Sequence, residues 1–532
     1  MKKLFLPIIL GFILISTTSV WAAVSHDMEG MSDAEMQNID QPSEVHESAE
    51  DVNWYAISGF LGAIAVAGFF VARSDKFKKN NLLDVGLIKS LLKSRWYPLI
   101  FVLPTTIVFA VLISQLFFGS LQPSNNFGSV MVWILLWPVL PVLYFMFGRL
   151  WCSICPLSKV SDVVQKKVGL HRKVPKLLQQ YGVWMMLIIF LTVTWADVTI
   201  GLVESPLNTG YLLLFVLGGV VFTGAVFERR TWCRYVCFLG GLSSNYSMSS
   251  ALELRTDQKI CSKCSTPTCY KGDGKVDGCS MFEYPRTMDS NRFCNFCSNC
   301  VKTCPHDSVR ISLRVPTSEL WFIKKPRLEE SILASILIGL VVVQTIVMLE
   351  VWEPFMTWFE GTTGITNFTV GWTLIYTGAI LTPIILMLTS SFISTRLFAN
   401  KSKDTAASPQ YGRTITGFIQ YSYALIPLGL AIHLAHNLRH LLGEGYSIAY
   451  STASLASLNI SGNLEILNMS TIQIIQYILS ILGVLGAVYT VVMISKNHSQ
   501  SKSATIPYII LILIFGIISL WMYSVPMSSR GH

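Results

Sequence analysis

Charge is what this chain has little of. Asp, Glu, Lys and Arg make up 13% of its 532 residues against 52% hydrophobic, and mean hydropathy is +0.51. So apolar a composition excludes an ordinary soluble enzyme and fits a protein that crosses a membrane several times. The formal charge of +9 is therefore no sign of nucleic-acid binding. Charged residues are almost absent from the long apolar stretches, which argues against coupled ion transport. Histidine is absent from all of those stretches but one.

Ten stretches are long enough to cross about 30 Å of hydrocarbon as helices. They run over 54–72, 96–119, 128–148, 181–200, 208–228, 331–352, 371–394, 414–440, 471–494 and 506–525. Ahead of them stands a secretory leader over 1–22, with Lys2 and Lys3, an apolar run from Leu4 to Ile15, and small residues near Ala22. Residues 23–53 form an acidic outer segment that reads as a spacer. Its His26, Met28, Met31, Met36 and His46 are of the types that bind copper. With an external mature N-terminus, Arg73, Lys76, Lys78, Lys79, Lys159, Lys166, Lys167, Arg172, Lys173, Arg396, Lys401, Lys403 and Arg413 fall on the inner side, while the four outer loops contain no lysine or arginine. The positive-inside bias thus puts every cysteine in the cytoplasm and both termini in the periplasm of a bacterial inner membrane protein.

Against this apolar background the twelve cysteines stand out. Cys294, Cys297, Cys300, Cys304 and Pro305 reproduce the C-x2-C-x2-C-x3-C-P run of bacterial ferredoxins, whose fourth thiolate serves a second cluster. Upstream, Cys261, Cys264, Cys269 and Cys279 supply an expanded partner run. On the usual cross-over, Cys261, Cys264, Cys269 and Cys304 hold one [4Fe-4S] cluster, and Cys294, Cys297, Cys300 and Cys279 the other. Structural zinc favours two separated pairs over four thiols in eleven residues, and disulfides do not suit a reducing compartment. The expected fold is mainly α: about ten membrane helices with a cytoplasmic, two-cluster, ferredoxin-like α+β insert over 229–328. Five helices precede the insert over 54–228, and five follow it over 329–532.

Two more cysteine pairs sit where helices meet the inner face. Arg149-Leu-Trp151-Cys152 is followed by Cys155-Pro156, and Arg230-Thr-Trp232-Cys233 by Cys237-Phe238. Each pair ends a hairpin of two apolar stretches, the pattern of an internal duplication. Four thiols meeting at one membrane-edge site have three readings: a further cluster, a mononuclear metal, or a dithiol redox pair.

These paired edge motifs, followed by a two-cluster insert, resemble the membrane polyferredoxins of the NapH and NosR type, and more distantly the CcoG type, over roughly residues 96–315. In that group the edge motif is typically C-x3-C-P. Cys152, Cys155 and Pro156 match it with one residue missing, and Cys233 and Cys237 match it with Phe238 in place of proline. The outer segment has no evident flavin-binding domain of the NosR type, and five helices after the insert are more than the NapH type implies. The resemblance implies an iron-sulfur redox protein of the membrane, quinol dehydrogenase-like in its role.

In the eighth apolar stretch His433, His436 and His440 occupy i, i+3 and i+7, within about 60° of one helical face. They are candidates for copper or zinc, for a haem paired with a Met such as Met348, or for taking protons from quinol. Glu350 and Glu353 are candidate partners. The leading expectation is electron transfer between a quinol pool or cytoplasmic donor and a partner reductase, with the bond-breaking chemistry elsewhere. Two alternatives are reductive handling of copper or another metal for an enzyme under assembly, and redox sensing.

Overall fold

The computed structural model describes residues 52–72, 81–398, 412–458, 466–498 and 501–527. The expected leader, nearly all of the acidic segment with its Met and His residues, and the basic residues 73–79 and 401–403 lie outside the described residues.

The chain is mainly helical. Among the described residues nine helices are long and apolar enough to cross a membrane. They are Leu99–Phe118, Phe127–Val168, Lys176–Ile200, Pro206–Val226, Leu328–Ile346, Phe368–Phe398, Arg413–Gly443, Met469–Asn497 and Lys502–Ser524, so each of the last nine expected stretches has its helix. The first expected stretch forms the helix Trp54–Ala72, of which only the shorter apolar part Trp54–Val66 is fully described. Among the described residues nine of the ten expected stretches thus meet both criteria, and the first is described only in part.

The spans differ in what surrounds them. In the apolar 18-residue core of each span, only 17% of residues are buried within the protein for Leu99–Phe118, against 72% for Leu328–Ile346 and 78% for Arg413–Gly443. With no water in the hydrocarbon, all-round apolar helices satisfy their own backbone groups and need protein neighbours only where polar side chains must be sheltered. The histidine-bearing span is thus the centre of the bundle. One core cluster joins both halves of the chain, including Leu140, Tyr144, Phe190, Leu242, Tyr246, Leu337, Tyr376, Tyr423 and Ile426.

Five short or central helices position the sites. The helix α1 (Trp137–Phe147) ends at Gly148, whose φ of +60° turns the chain sharply. A one-turn helix α2 (Trp151–Ile154) follows, then α3 (Pro156–Val168). The second hairpin ends in α4 (Thr231–Tyr235) and α5 (Phe238–Ser247). α5 packs into the bundle core through Leu242 and Tyr246, so the separately packed part of the expected insert begins only after it. That part is tied at its ends by an antiparallel ribbon, β1 (Leu252–Thr256) with β2 (Val309–Leu313), in register from Leu252 opposite Leu313 to Thr256 opposite Val309. Between the strands lie loops and single helical turns around a small core of Leu83, Leu254, Met288, Phe296, Val301, Val309 and Ile311.

The cysteine segment is locked to the bundle by buried charge. Arg292 Nη1 donates to both carboxylate oxygens of Glu330, at 2.9 and 2.7 Å, and Tyr423 Oη donates to the same carboxylate at 2.7 Å. Glu319 accepts from Ser290, from the Asn291 amide, and from Arg255 and Arg314. Arg314 also caps the end of α5 by donating to the carbonyls of Ser247, Met248 and Ser250.

Candidate redox centres

The twelve cysteines fall into three groups of four. Cys261, Cys264, Cys269 and Cys304 line one cavity together with Thr256, Pro305 and Ser308. Ser308 organises it: its hydroxyl lies 3.2 Å from Cys261 Sγ and 3.6 Å from Cys304 Sγ, and its amide donates to Cys304 Sγ at 3.4 Å. Burial, then the neighbouring Cys304, Cys261 and Cys264, pushes the Cys269 thiol up to about 11.

Cys279, Cys294, Cys297 and Cys300 are mutual electrostatic neighbours. Burial pushes Cys279 up to about 11 and raises Cys294 and Cys300 well above the usual thiol range. The loop curls because Phe296 and Ser298, on either side of Cys297, take the left-handed conformation at φ of 52° and 62°. For residues with side chains that costs of order 1–3 kcal/mol each, and such strain is typically kept where it positions a functional group. These two groups bring together the same residues that the cysteine runs, on the usual cross-over, pair in the sequence. They meet where Cys300 neighbours Cys269.

The third group is the edge set. Cys152 and Cys155 neighbour Cys233 and Cys237, and the duplication is visible in the fold. In each repeat the Trp-Cys pair sits in a one-turn helix, α2 or α4, and the second cysteine is the N-cap of the next helix, α3 or α5. Phe238 fills the first helical position that Pro156 fills in the other repeat; proline is favoured there but is not required. Burial raises Cys233 well above its ordinary range and pushes Cys237 up to about 12. Arg230 bridges outward: it is an electrostatic neighbour of both Cys233 and Cys297. The three groups therefore form a series.

Among the described residues no three His, Cys, Asp or Glu side chains converge tightly enough to hold a single ion. Four sulfurs bonded to one zinc at 2.3 Å would lie only about 3.8 Å apart, whereas a tetranuclear core spreads its ligands around a larger body.

The histidines are brought to different partners. His433 Nδ1 lies 3.1 Å from Tyr246 Oη, and its Nε2 is buried without a hydrogen bond. His436 Nδ1 lies 3.0 Å from Thr345 Oγ1, and His440 Nδ1 lies 2.8 Å from Glu444 Oε1. Sequence reasoning named Glu350 and Glu353 as partners and missed Glu444, although its i+4 spacing from His440 was a local signal. It also missed Asp162, Tyr246 and Glu330, whose pairings join distant segments.

A protein family described as "4Fe-4S binding domain" matches residues 129–175 and 209–248. Those two segments are the two hairpin ends that carry the edge cysteines. A protein of Escherichia coli K12 provisionally assigned to electron transport, YccM, is 29% identical over 100 residues, 19% of this chain and 26% of that protein. An uncharacterized protein of Methanocaldococcus jannaschii is 24% identical over 228 residues, 38% of this chain and 89% of its own length. The chain thus spans about a quarter of the first relative and most of the second. No solved structure matches it. With nine apolar helices, these likenesses support a 4Fe-4S membrane protein in iron-sulfur electron transfer.

Proposed function

We propose that this protein carries electrons through cysteine-bound clusters at the inner face of a bacterial cytoplasmic membrane, between a quinol pool or cytoplasmic donor and a partner reductase. The observation that carries the reading is the series of three four-thiol groups. Cys261, Cys264, Cys269 and Cys304 would hold one [4Fe-4S] cluster, Cys279, Cys294, Cys297 and Cys300 a second, and the edge cysteines a further one. The clusters would supply one-electron storage at potentials set by burial and hydrogen bonds to sulfur.

The rest is work for this chain's own side chains. Ser308, hydrogen-bonded to Cys261 and Cys304, orients two thiols of the outermost group. Arg230, fixed by Asp162, holds positive charge between the second group and the edge group. α5 then leads from Cys237 to Tyr246, whose hydroxyl meets His433. Quinol oxidation releases two electrons and two protons, and His433, whose Nε2 is buried without a hydrogen bond, would take one of those protons. The lysine and arginine bias of the loops supports a cytoplasmic position for all three groups. The NapH and NosR resemblance agrees with quinol as donor.

Anaerobic purification of the full chain, with iron, sulfide, copper and haem measured on the sample used for EPR, tests the reading. We expect about twelve irons per chain in tetranuclear clusters. Fewer than two such clusters would sink it.

A further inference from the structure

The duplicated motif places an arginine three residues ahead of the first cysteine of each pair, and the fold treats the two arginines differently. Arg230 is neutralised. Its Nε and Nη2 donate to the two carboxylate oxygens of Asp162 at 3.1 and 2.8 Å, and its Nη1 to the Cys152 carbonyl at 3.4 Å. Arg149 is 1% exposed, and among the described residues no carboxylate forms an ion pair with it. Its Nη1 donates to the Arg292 carbonyl at 3.0 Å, but its Nε and Nη2 are buried with no hydrogen-bond partner. A guanidinium does not lose its proton in a protein, and a buried charge without a counter-charge is costly. Glu283 lies within electrostatic range of Arg149, but among the described residues no carboxylate touches the guanidinium.

The free end of Arg149 lies at the edge cysteines. A methyl group on Gly240 would stand 3.4 Å from Arg149 Nη2, 3.0 Å from the Cys233 carbonyl and 3.6 Å from Cys237 Cβ. Glycine at 240 thus keeps room for the guanidinium beside the thiols. A second donor stands with it: Tyr144 is fully buried, its hydroxyl has no partner, and it neighbours Cys152, Cys237 and Arg149.

We propose that Arg149, with Tyr144, is the counter-cation of an anionic tetrathiolate centre held by Cys152, Cys155, Cys233 and Cys237, and that it raises the reduction potential of that centre. This rests on the reading of the edge cysteines as cluster ligands. A core held by four thiolates is anionic, and taking up one electron adds one negative charge while no bond forms or breaks. A fixed cation and hydrogen-bond donors therefore favour the reduced form. Because Asp162 cancels Arg230, the effect falls to Arg149. The unequal repeats make the edge group an electron sink within the series.

The test uses the full-length protein, purified anaerobically and poised with dithionite for EPR. Cys152→Ala combined with Cys237→Ala should remove about four irons and one EPR species, which identifies the edge signal. Arg149→Gln should then lower the equilibrium constant for reduction of that species at least tenfold, 59 mV for a one-electron couple, and leave the other potentials in place. Arg149→Lys should recover part of the shift, Tyr144→Phe should give a smaller shift of the same sign, and Asp162→Asn, which unpairs Arg230, should shift it upward. If Arg149→Gln does not accumulate, Tyr144→Phe and Arg149→Lys decide the question. Loss of four irons in the cysteine variant with unmoved potentials in the Arg149 and Tyr144 variants overturns this inference and leaves the cluster reading standing. An unchanged iron content in the cysteine variant overturns both.

Discussion

The cysteine loops and the histidine helix both present ligand-type side chains at motif spacing, and the fold does opposite things with them. Twelve thiols gather into three groups, while His433, His436 and His440 part to Tyr246, Thr345 and Glu444. The difference lies in the backbone. Loops with left-handed residues such as Phe296 and Ser298 can curl several side chains around one centre. A straight helix brings neighbours such as His436 and His440 together, their rings 5.3 Å apart, but not all three: at 1.5 Å per residue, His433 and His440 stand about 10 Å apart along the axis. A metal bound by histidine at about 2 Å cannot reach both. Shared facing on a helix is therefore weaker evidence of a shared site than close spacing in a loop.

The strongest way to break this comparison is to remove a loop thiol. Cys297→Ala or Cys300→Ala should cost about four irons per chain, with loss of the corresponding sulfide and EPR signal. Cys300 also packs against the insert's core, so limited proteolysis should cut the 252–313 segment faster in that variant. Retention of full iron and sulfide would show that the thiols gather without sharing a cofactor.

The next effect tests whether the two regions are coupled. Glu330 is 1% exposed and stands between them, accepting from Arg292 of the cysteine segment and from Tyr423 of the histidine-bearing span. Removing one partner of a buried, hydrogen-bonded pair leaves an uncompensated charge and costs about 3–5 kcal/mol. Glu330→Ala should therefore lower the thermal stability of the purified protein by that order. Replacing Glu330 and Arg292 together should cost less than Glu330 alone, and an equal or greater loss would show that the pair is not the link.

Much of this was legible in the sequence, for reasons that differ by element. Nine spans were readable because an apolar helix in lipid needs only length and composition. The two cysteine runs of the insert were readable because their spacing is local. The unequal roles of Arg149 and Arg230 were not: Arg230 finds Asp162 68 residues away, and Tyr246 finds His433 187 residues away. Nothing in Arg-x-Trp-Cys says which copy will be paired. The division of the insert also escaped, since α5 reads as part of a cysteine-rich region yet packs in the bundle through Tyr246.

The smallest effect is expected at the histidines, and it bears most directly on the comparison. His433→Phe keeps a ring in the pocket formed with Trp137 and Tyr246 but removes the contact to the Tyr246 hydroxyl. That hydroxyl keeps only a long contact to the Gly429 carbonyl, at 3.4 Å, so the cost should be about 1–3 kcal/mol, that of an under-satisfied buried donor. Iron, sulfide and copper content should not change in His433→Phe, His436→Ala or His440→Ala, because each imidazole Nδ1 has its own partner. If His433 takes a quinol proton, His433→Phe alone should slow cluster reduction by a quinol analogue and leave reduction by dithionite untouched. Loss of a stoichiometric metal from all three variants alike would mean that the helix gathers its ligands after all, and the contrast with the cysteine loops would fall.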